Sequence, residues 1–137
     1  MITNMQIFQN KNVRLLAVVA VLLGIVLFPY GWLANNWGFM RQVEDAFFGP
    51  EWTHWLGHVV MYGALTTAVL IVFPQFLNQP RRYFGLVFTI GLIQETIQLI
   101  TFKHHLFTTN ELFDLIVDLI AAGIVFAVAK IISRQRQ

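Results

Sequence analysis

Residues 111–132 read ELFDLIVDLIAAGIVFAVAKII, in which Glu111, Asp114, Asp118 and Lys130 are the only charged side chains. At about 1.5 Å per residue, a helix of this length crosses the roughly 30 Å hydrocarbon core of a bilayer. The whole chain is similarly apolar: of its 137 residues, 57% are apolar and 12% are charged. A soluble domain this small cannot bury so much apolar surface. The sequence therefore predicts an integral membrane protein.

This composition excludes a soluble enzyme, a nucleic-acid-binding domain and a disordered tail. The chain has no cysteine, which excludes disulfides, thiolate metal sites and cysteine nucleophiles. Its single serine, Ser133, lies in the basic C-terminal tail, so a serine hydrolase is excluded as well.

Four apolar segments are long enough to span a membrane. They predict an all-α fold, a four-transmembrane-helix antiparallel bundle that forms one domain over residues 1–137, because short connections make consecutive helices antiparallel neighbours. The predicted helices cover about residues 14–33, 54–77, 83–102 and 111–132. The first run continues past the length of a signal peptide without a clean cleavage site, so we expect an uncleaved signal anchor.

Basic residues predict the orientation of the bundle. Only Arg41 and Lys103 fall on one side of the four segments, whereas seven basic residues fall on the other. Those seven are Lys11, Arg14, Arg81, Arg82, Lys130, Arg134 and Arg136. The positive-inside rule then places both termini in the cytoplasm of a multi-pass protein of the bacterial cytoplasmic (inner) membrane.

The longest connection, residues 34–53, has two interpretations. Phe39, Val43 and Phe47 recur at every fourth position, which favours a short amphipathic helix at the membrane surface. An ordinary loop with tryptophan membrane anchors fits equally well.

Polar residues of the last three helices fall in the outer half of the bilayer. His54, His58 and Tyr62 share one face of the second helix, and Gln94, Glu95 and Gln98 lie near the outer end of the third. Glu111, Asp114 and Asp118 share a face of the fourth. Polar faces inside a bilayer turn toward each other or toward a water-filled cavity. We therefore expect His58, Glu95 and Asp114 to face one cavity, supported by Gln98 and Asp118.

These residues suggest roles in a site. Glu95 and Asp114 are candidate general acids or bases with His58, because burial and like charge suit carboxyl groups for proton transfer. Candidate substrate-binding residues are Gln98, Asp118, Tyr62 and Lys103. Plainer readings are a structural polar network, a packing role for His54 and a helix-capping role for Glu111.

The pattern resembles the VanZ-like family of small bacterial membrane proteins. The matching residues are His58 with Tyr62, then Glu95-Thr-Ile-Gln98, then Asp114 to Gly123 with Asp118 where relatives usually carry asparagine. The family's basic loop position corresponds to Lys103, His104 or His105. The named member is associated with resistance to the antibiotic teicoplanin, and the resemblance implies no mechanism. It leads us to expect an outer-leaflet pocket that binds or modifies an envelope or lipid-linked substrate.

Two other functions remain open. His54 and His58 lie one turn apart, as zinc ligands often do, so a metal-dependent membrane enzyme with Glu95 or Asp114 as third ligand is an alternative. A non-catalytic accessory subunit of a larger respiratory or photosynthetic membrane complex is another. Besides the lipid bilayer, the expected partner is thus a lipid-linked substrate or such a complex, and the sequence names no cofactor.

Overall fold

The computed structural model describes residues 11–48, 51–103 and 109–135, and all regular structure in these ranges is helical. The α-helices are α1 (Lys11–Val26), α2 (Tyr30–Asn36), α3 (Gly38–Phe48), α4 (Glu51–Val72), α5 (Pro80–Gln98) and α6 (Thr109–Gln135). A 3-10 turn covers Pro74–Asn78, and a π turn covers Leu99–Lys103. The predicted all-α class is confirmed.

Within the described ranges, three helical segments are long and apolar enough to cross a membrane. They are Trp52–Val72, Pro80–Thr101 and Thr109–Gln135. The second predicted helix was too long, since α4 ends at Val72 and Pro74 starts a separate 3-10 turn. The third begins earlier than predicted, because Pro80 occupies the first helical turn, where its missing N–H costs no hydrogen bond. These segments are compatible with a multi-pass membrane protein.

The predicted first helix, residues 14–33, is not continuous. Segments Val13–Val26 and Tyr30–Asn36 meet at a bend of 53°. Pro29 lies in the break. Proline has no N–H to donate a helical hydrogen bond, and its ring crowds the preceding turn, so a helix is interrupted at this position. Together the two segments are long and apolar enough for a fourth candidate, which is either a broken span or a re-entrant loop.

Of the two interpretations of residues 34–53, the helical one describes the structure over Gly38–Phe48. This helix, α3, follows α2 after a single non-helical residue, Trp37, and packs against both α2 and α4. Phe39 is 62% exposed, whereas Val43 faces inward toward a cavity. Its position at a membrane surface stays a prediction.

Helix α4 lies between α1 and α6, and α5 packs along α6. Two contacts fix the relative direction of α4 and α6: His54 approaches Asp114 and His58 approaches Asp118, both at a sequence separation of 60. The two helices therefore run parallel, and α5 runs antiparallel between them in the chain. This alternation is the expected order of an up-and-down bundle.

The core holds two buried tyrosines among aliphatic side chains. Tyr62 and Tyr83 are 0% exposed, and the Tyr83 hydroxyl donates a hydrogen bond of 3.0 Å to the carbonyl oxygen of Ala122. Close packing of α5 on α6 depends on Gly91, where a Cβ would lie 2.6 Å from Leu115 Cδ1. The tyrosines and this glycine thus join α4, α5 and α6 below their polar end.

The outward surface of α6 is apolar along its length. Leu112, Ile116, Ile120 and Ile124 follow one another at every fourth position and are 49%, 43%, 56% and 59% exposed. Large apolar side chains in such a stripe are unfavourable in water but suit a helix surrounded by lipid.

Candidate functional site

Polar side chains gather at one end of the bundle, where α4 begins, α5 ends and α6 begins. We call this group the polar cluster; its members are His54, His58, Tyr62, Gln94, Glu95, Asp114 and Asp118. All but His54 are buried. The helical spacing within each segment brings them together, since residues three or four apart share a face.

His58 and Asp118 form the inner pair of the polar cluster. His58 Nδ1 lies 2.8 Å from Asp118 Oδ1, and the two side chains are 2% and 0% exposed. A carboxylate accepts, so the imidazole donates from Nδ1 in this hydrogen bond. The bond fixes the orientation of the His58 ring and does not involve its other nitrogen, Nε2.

His54 and Asp114 form the outer pair, one helical turn nearer the end of the bundle. His54 Nε2 lies 3.3 Å from Asp114 Oδ2, with side-chain exposures of 38% and 5%. The rings of His54 and His58 have centroids 4.8 Å apart. The two pairs therefore connect α4 and α6 at consecutive helical turns.

Tyr62 extends the stripe of α4 and connects it to α5. Its hydroxyl donates a 2.7 Å hydrogen bond to Gln94 Oε1, and its ring is parallel to that of His58 at 6.3 Å. Gln94 is 4% exposed and was not among the predicted site residues. Its signal in the sequence was the four-residue spacing to Gln98, which puts both amides on one face.

Two further carboxyl groups are buried at this end. Glu95 is 0% exposed and interacts electrostatically with His58 and Tyr62. Glu111, in the first turn of α6, is 1% exposed. A carboxylate in the first turn interacts favourably with the helix dipole, so the position of Glu111 agrees with the capping role predicted for it.

A cavity of about 390 Å³ lies beside the polar cluster. One wall is mainly apolar and comes from the α1–α2 break, α2 and α3: Phe28, Pro29, Tyr30, Gly31, Ala34, Met40 and Val43. The second wall comes from α4, α5 and the π turn: His54, Gly57, His58, Met61, Gln94, Gln98 and Thr101. Its volume is in the range of small-molecule sites, which have mostly apolar walls and a few polar groups.

The expected convergence on one cavity holds for only some of the residues. His58 and Gln98 line the cavity, but the predicted wall residues Glu95 and Asp114 do not. Asp114 lies behind His54, just as the supporting residue Asp118 lies behind His58. The two imidazoles, and not the carboxylates to which they bond, therefore line the cavity.

The other predicted binding residues are placed as follows. Tyr62 and Asp118 are buried between helices and contact the wall residues Gln94 and His58. The side chain of Lys103 falls outside the residues whose side chains the structure describes.

His54, His58 and Asp114 are also close enough to share a metal ion. Each offers one potential ligand atom, and these atoms lie within 4.8 Å of one another. Of the two third ligands considered from the sequence, Asp114 belongs to this group and Glu95 does not.

Comparisons of the chain with protein-family models, with curated proteins and with solved structures found no match. The resemblance to the VanZ-like family therefore depends on the sequence pattern of the last three helices alone.

Proposed function

We propose that this chain is a VanZ-like protein of the bacterial cytoplasmic membrane whose cavity binds an envelope or lipid-linked molecule. Both termini face the cytoplasm in this proposal, and the polar cluster lies in the outer leaflet. The distribution of basic residues supports the orientation. The lipid-facing stripe of α6 supports the insertion.

The observation that carries the proposal is the two-sided cavity. Its apolar wall, with Phe28, Ala34 and Val43, suits an acyl or prenyl chain. Its polar wall offers imidazole and amide groups for a head group, among them Gln94 and Gln98. An amphipathic molecule satisfies both walls, whereas a purely polar one would leave apolar surface in contact with water.

Any proton transfer to a bound molecule near neutral pH falls to His54 or His58, because the other titratable residue of the described lining is Tyr30, whose phenol ordinarily has a pKa of about 10. Asp118 behind His58 orients the ring and stabilises its charged form, as carboxylates do behind catalytic histidines. The roles predicted for Glu95 and Asp114 change accordingly. In this proposal they act on the histidines rather than on the bound molecule.

The test compares two tryptophan substitutions on adjacent residues of α4. Met61→Trp fills the cavity, while Val60→Trp adds the same bulk at a position that is 61% exposed. Protein purified in mild detergent is examined by native mass spectrometry for retained lipid-like molecules. We expect an endogenous amphipathic ligand on the wild type and on Val60→Trp, and its loss from Met61→Trp.

Equal retention in both variants would show that the cavity does not hold the molecule. A stoichiometric partner protein in place of a lipid would contradict the proposal and favour the accessory-subunit alternative.

A further inference from the structure

We infer that His54, His58 and Asp114 form a binding site for a divalent transition-metal ion of the zinc type. The inference stands on the geometry of the polar cluster and does not require that the cavity bind a lipid-linked molecule.

The ligand set and its spacing match such an ion. Two imidazoles and one carboxylate are a common protein complement for catalytic zinc, which keeps a fourth position for water or substrate. With metal–ligand distances of about 2.0–2.1 Å, a tetrahedral ion separates its ligand atoms by roughly 3.3–3.4 Å. His54 Nε2 and Asp114 Oδ2 already lie 3.3 Å apart. His58 offers its atom within 4.8 Å of both, so a small side-chain rotation completes the set.

Asp118 supplies the outer support that metal-binding histidines require. A histidine ligand usually donates its other ring N–H to a carboxylate, which fixes the tautomer and raises the basicity of the ligating nitrogen. The 2.8 Å contact between His58 Nδ1 and Asp118 Oδ1 is of this kind. In the proposed site this contact would leave His58 Nε2 as the ligating nitrogen.

The charges at this end of the bundle also favour a cation. Asp114 and Asp118 are 4% and 0% exposed. Buried carboxylates are costly unless they are paired, protonated or bound to a metal. A divalent ion bound to Asp114 would offset part of the negative charge of these carboxylates. It would offset more of that charge than a second imidazole alone.

The site is also reachable. His54 is 38% exposed at its side chain, and both histidines form part of the cavity wall. The fourth coordination position therefore faces the cavity, where a metal-bound water or the head group of a ligand has room.

The experiment measures zinc directly on the full chain, purified with a histidine-free affinity tag and without chelators. Zinc per chain is determined by mass spectrometry of the elements, before and after stripping and reloading with zinc chloride. Affinity is measured by competition with a chelating dye. We expect about one zinc per chain, and visible d–d absorption of the tetrahedral type when cobalt replaces it.

The variants distinguish the proposed metal ligands from residues that do not bind the metal. His54→Ala and Asp114→Asn are expected to lose the zinc while they elute as the wild type does. Asp118→Asn, which leaves all three ligands in place, should weaken zinc affinity by about 10- to 100-fold. Asp45→Asn, on the exposed side of α3, should bind zinc as the wild type does.

A wild-type chain that holds no more zinc after reloading than Asp114→Asn would overturn the inference and leave two histidine–aspartate ion pairs. The result is independent of the lipid test. Met61→Trp should lose the amphipathic ligand and keep its zinc, so failure of either proposal is visible without the other.

Discussion

His58 Nδ1 and Asp118 Oδ1 lie 2.8 Å apart between α4 and α6, with both side chains almost completely shielded from solvent. One turn away, His54 and Asp114 repeat the same chemistry at 3.3 Å, with the histidine more than one-third exposed. The bundle thus contains two pairs of identical residue types on the same two helices, which differ mainly in burial.

We expect the inner pair to be coupled more strongly than the outer pair. Hydrogen bonds to charged groups are worth about 1.5–3 kcal/mol when buried, whereas exposed ion pairs give about 0.2–1 kcal/mol. Double-mutant cycles of His58→Ala with Asp118→Ala, and of His54→Ala with Asp114→Ala, measure both couplings. The readout is the free energy of unfolding in mild detergent, titrated with a denaturing detergent.

The outer cycle is the matched control for the inner one. Equal coupling energies in the two cycles would mean that burial does not strengthen the inner pair. Cycles are run on metal-free protein, because an ion shared by His54, His58 and Asp114 would couple residues of both pairs.

Gly91 is expected to tolerate alanine poorly. A Cβ there would lie 2.6 Å from Leu115 Cδ1 and 3.3 Å from Asp118 Oδ2, and overpacking of this kind costs about 1–3 kcal/mol. Gly85→Ala on the same helix is the control, since its Cβ would meet nothing within 4 Å and alanine favours the helix by about 1 kcal/mol. Because this gain applies at both positions, thermal unfolding in detergent should rank Gly91→Ala below Gly85→Ala. The reverse order would contradict the close packing of α5 on α6.

Cysteine labelling tests the orientation, and the absence of native cysteine makes each introduced thiol a single reporter. Asn36→Cys and Thr108→Cys should react with a membrane-impermeant maleimide in intact cells. Arg81→Cys, between the second and third spans, should react only after the membrane is permeabilised. Labelling of Arg81→Cys alone in intact cells would reverse the orientation and move the polar cluster to the cytoplasmic leaflet.

The sequence predicts the main helices and the end of the bundle at which their polar residues meet. Length and hydropathy are sufficient for α4, α5 and α6, and the four-residue spacing of His54 with His58 is sufficient for a shared face. The break at Pro29 was missed because the apolar run continues across it, and hydropathy does not register a lost backbone hydrogen bond.

The order of side chains within the site could not be read from spacing. Periodicity defines a helix face about 100° wide. A smaller rotation of α4 or α6 about its own axis decides whether His54 or Asp114 reaches the cavity. The wall from α2 and α3 depends on the packing of α3 on α4 and of α2 on the π turn, which is a tertiary arrangement. Gln94 also lines the cavity only because of this tertiary arrangement.

The equal separation of 60 residues in both histidine–aspartate pairs has a consequence for how the helices align. Apolar side chains of neighbouring membrane helices pack against each other little better than against lipid tails, so they specify sliding position weakly. If α6 slipped along α4 by one turn, about 5.4 Å, one pair would exchange partners, and one histidine and one aspartate would be stranded in apolar surroundings. The two histidine–aspartate pairs therefore fix the register of α4 and α6. They exclude slipped alignments that the aliphatic faces of these two parallel helices would otherwise tolerate.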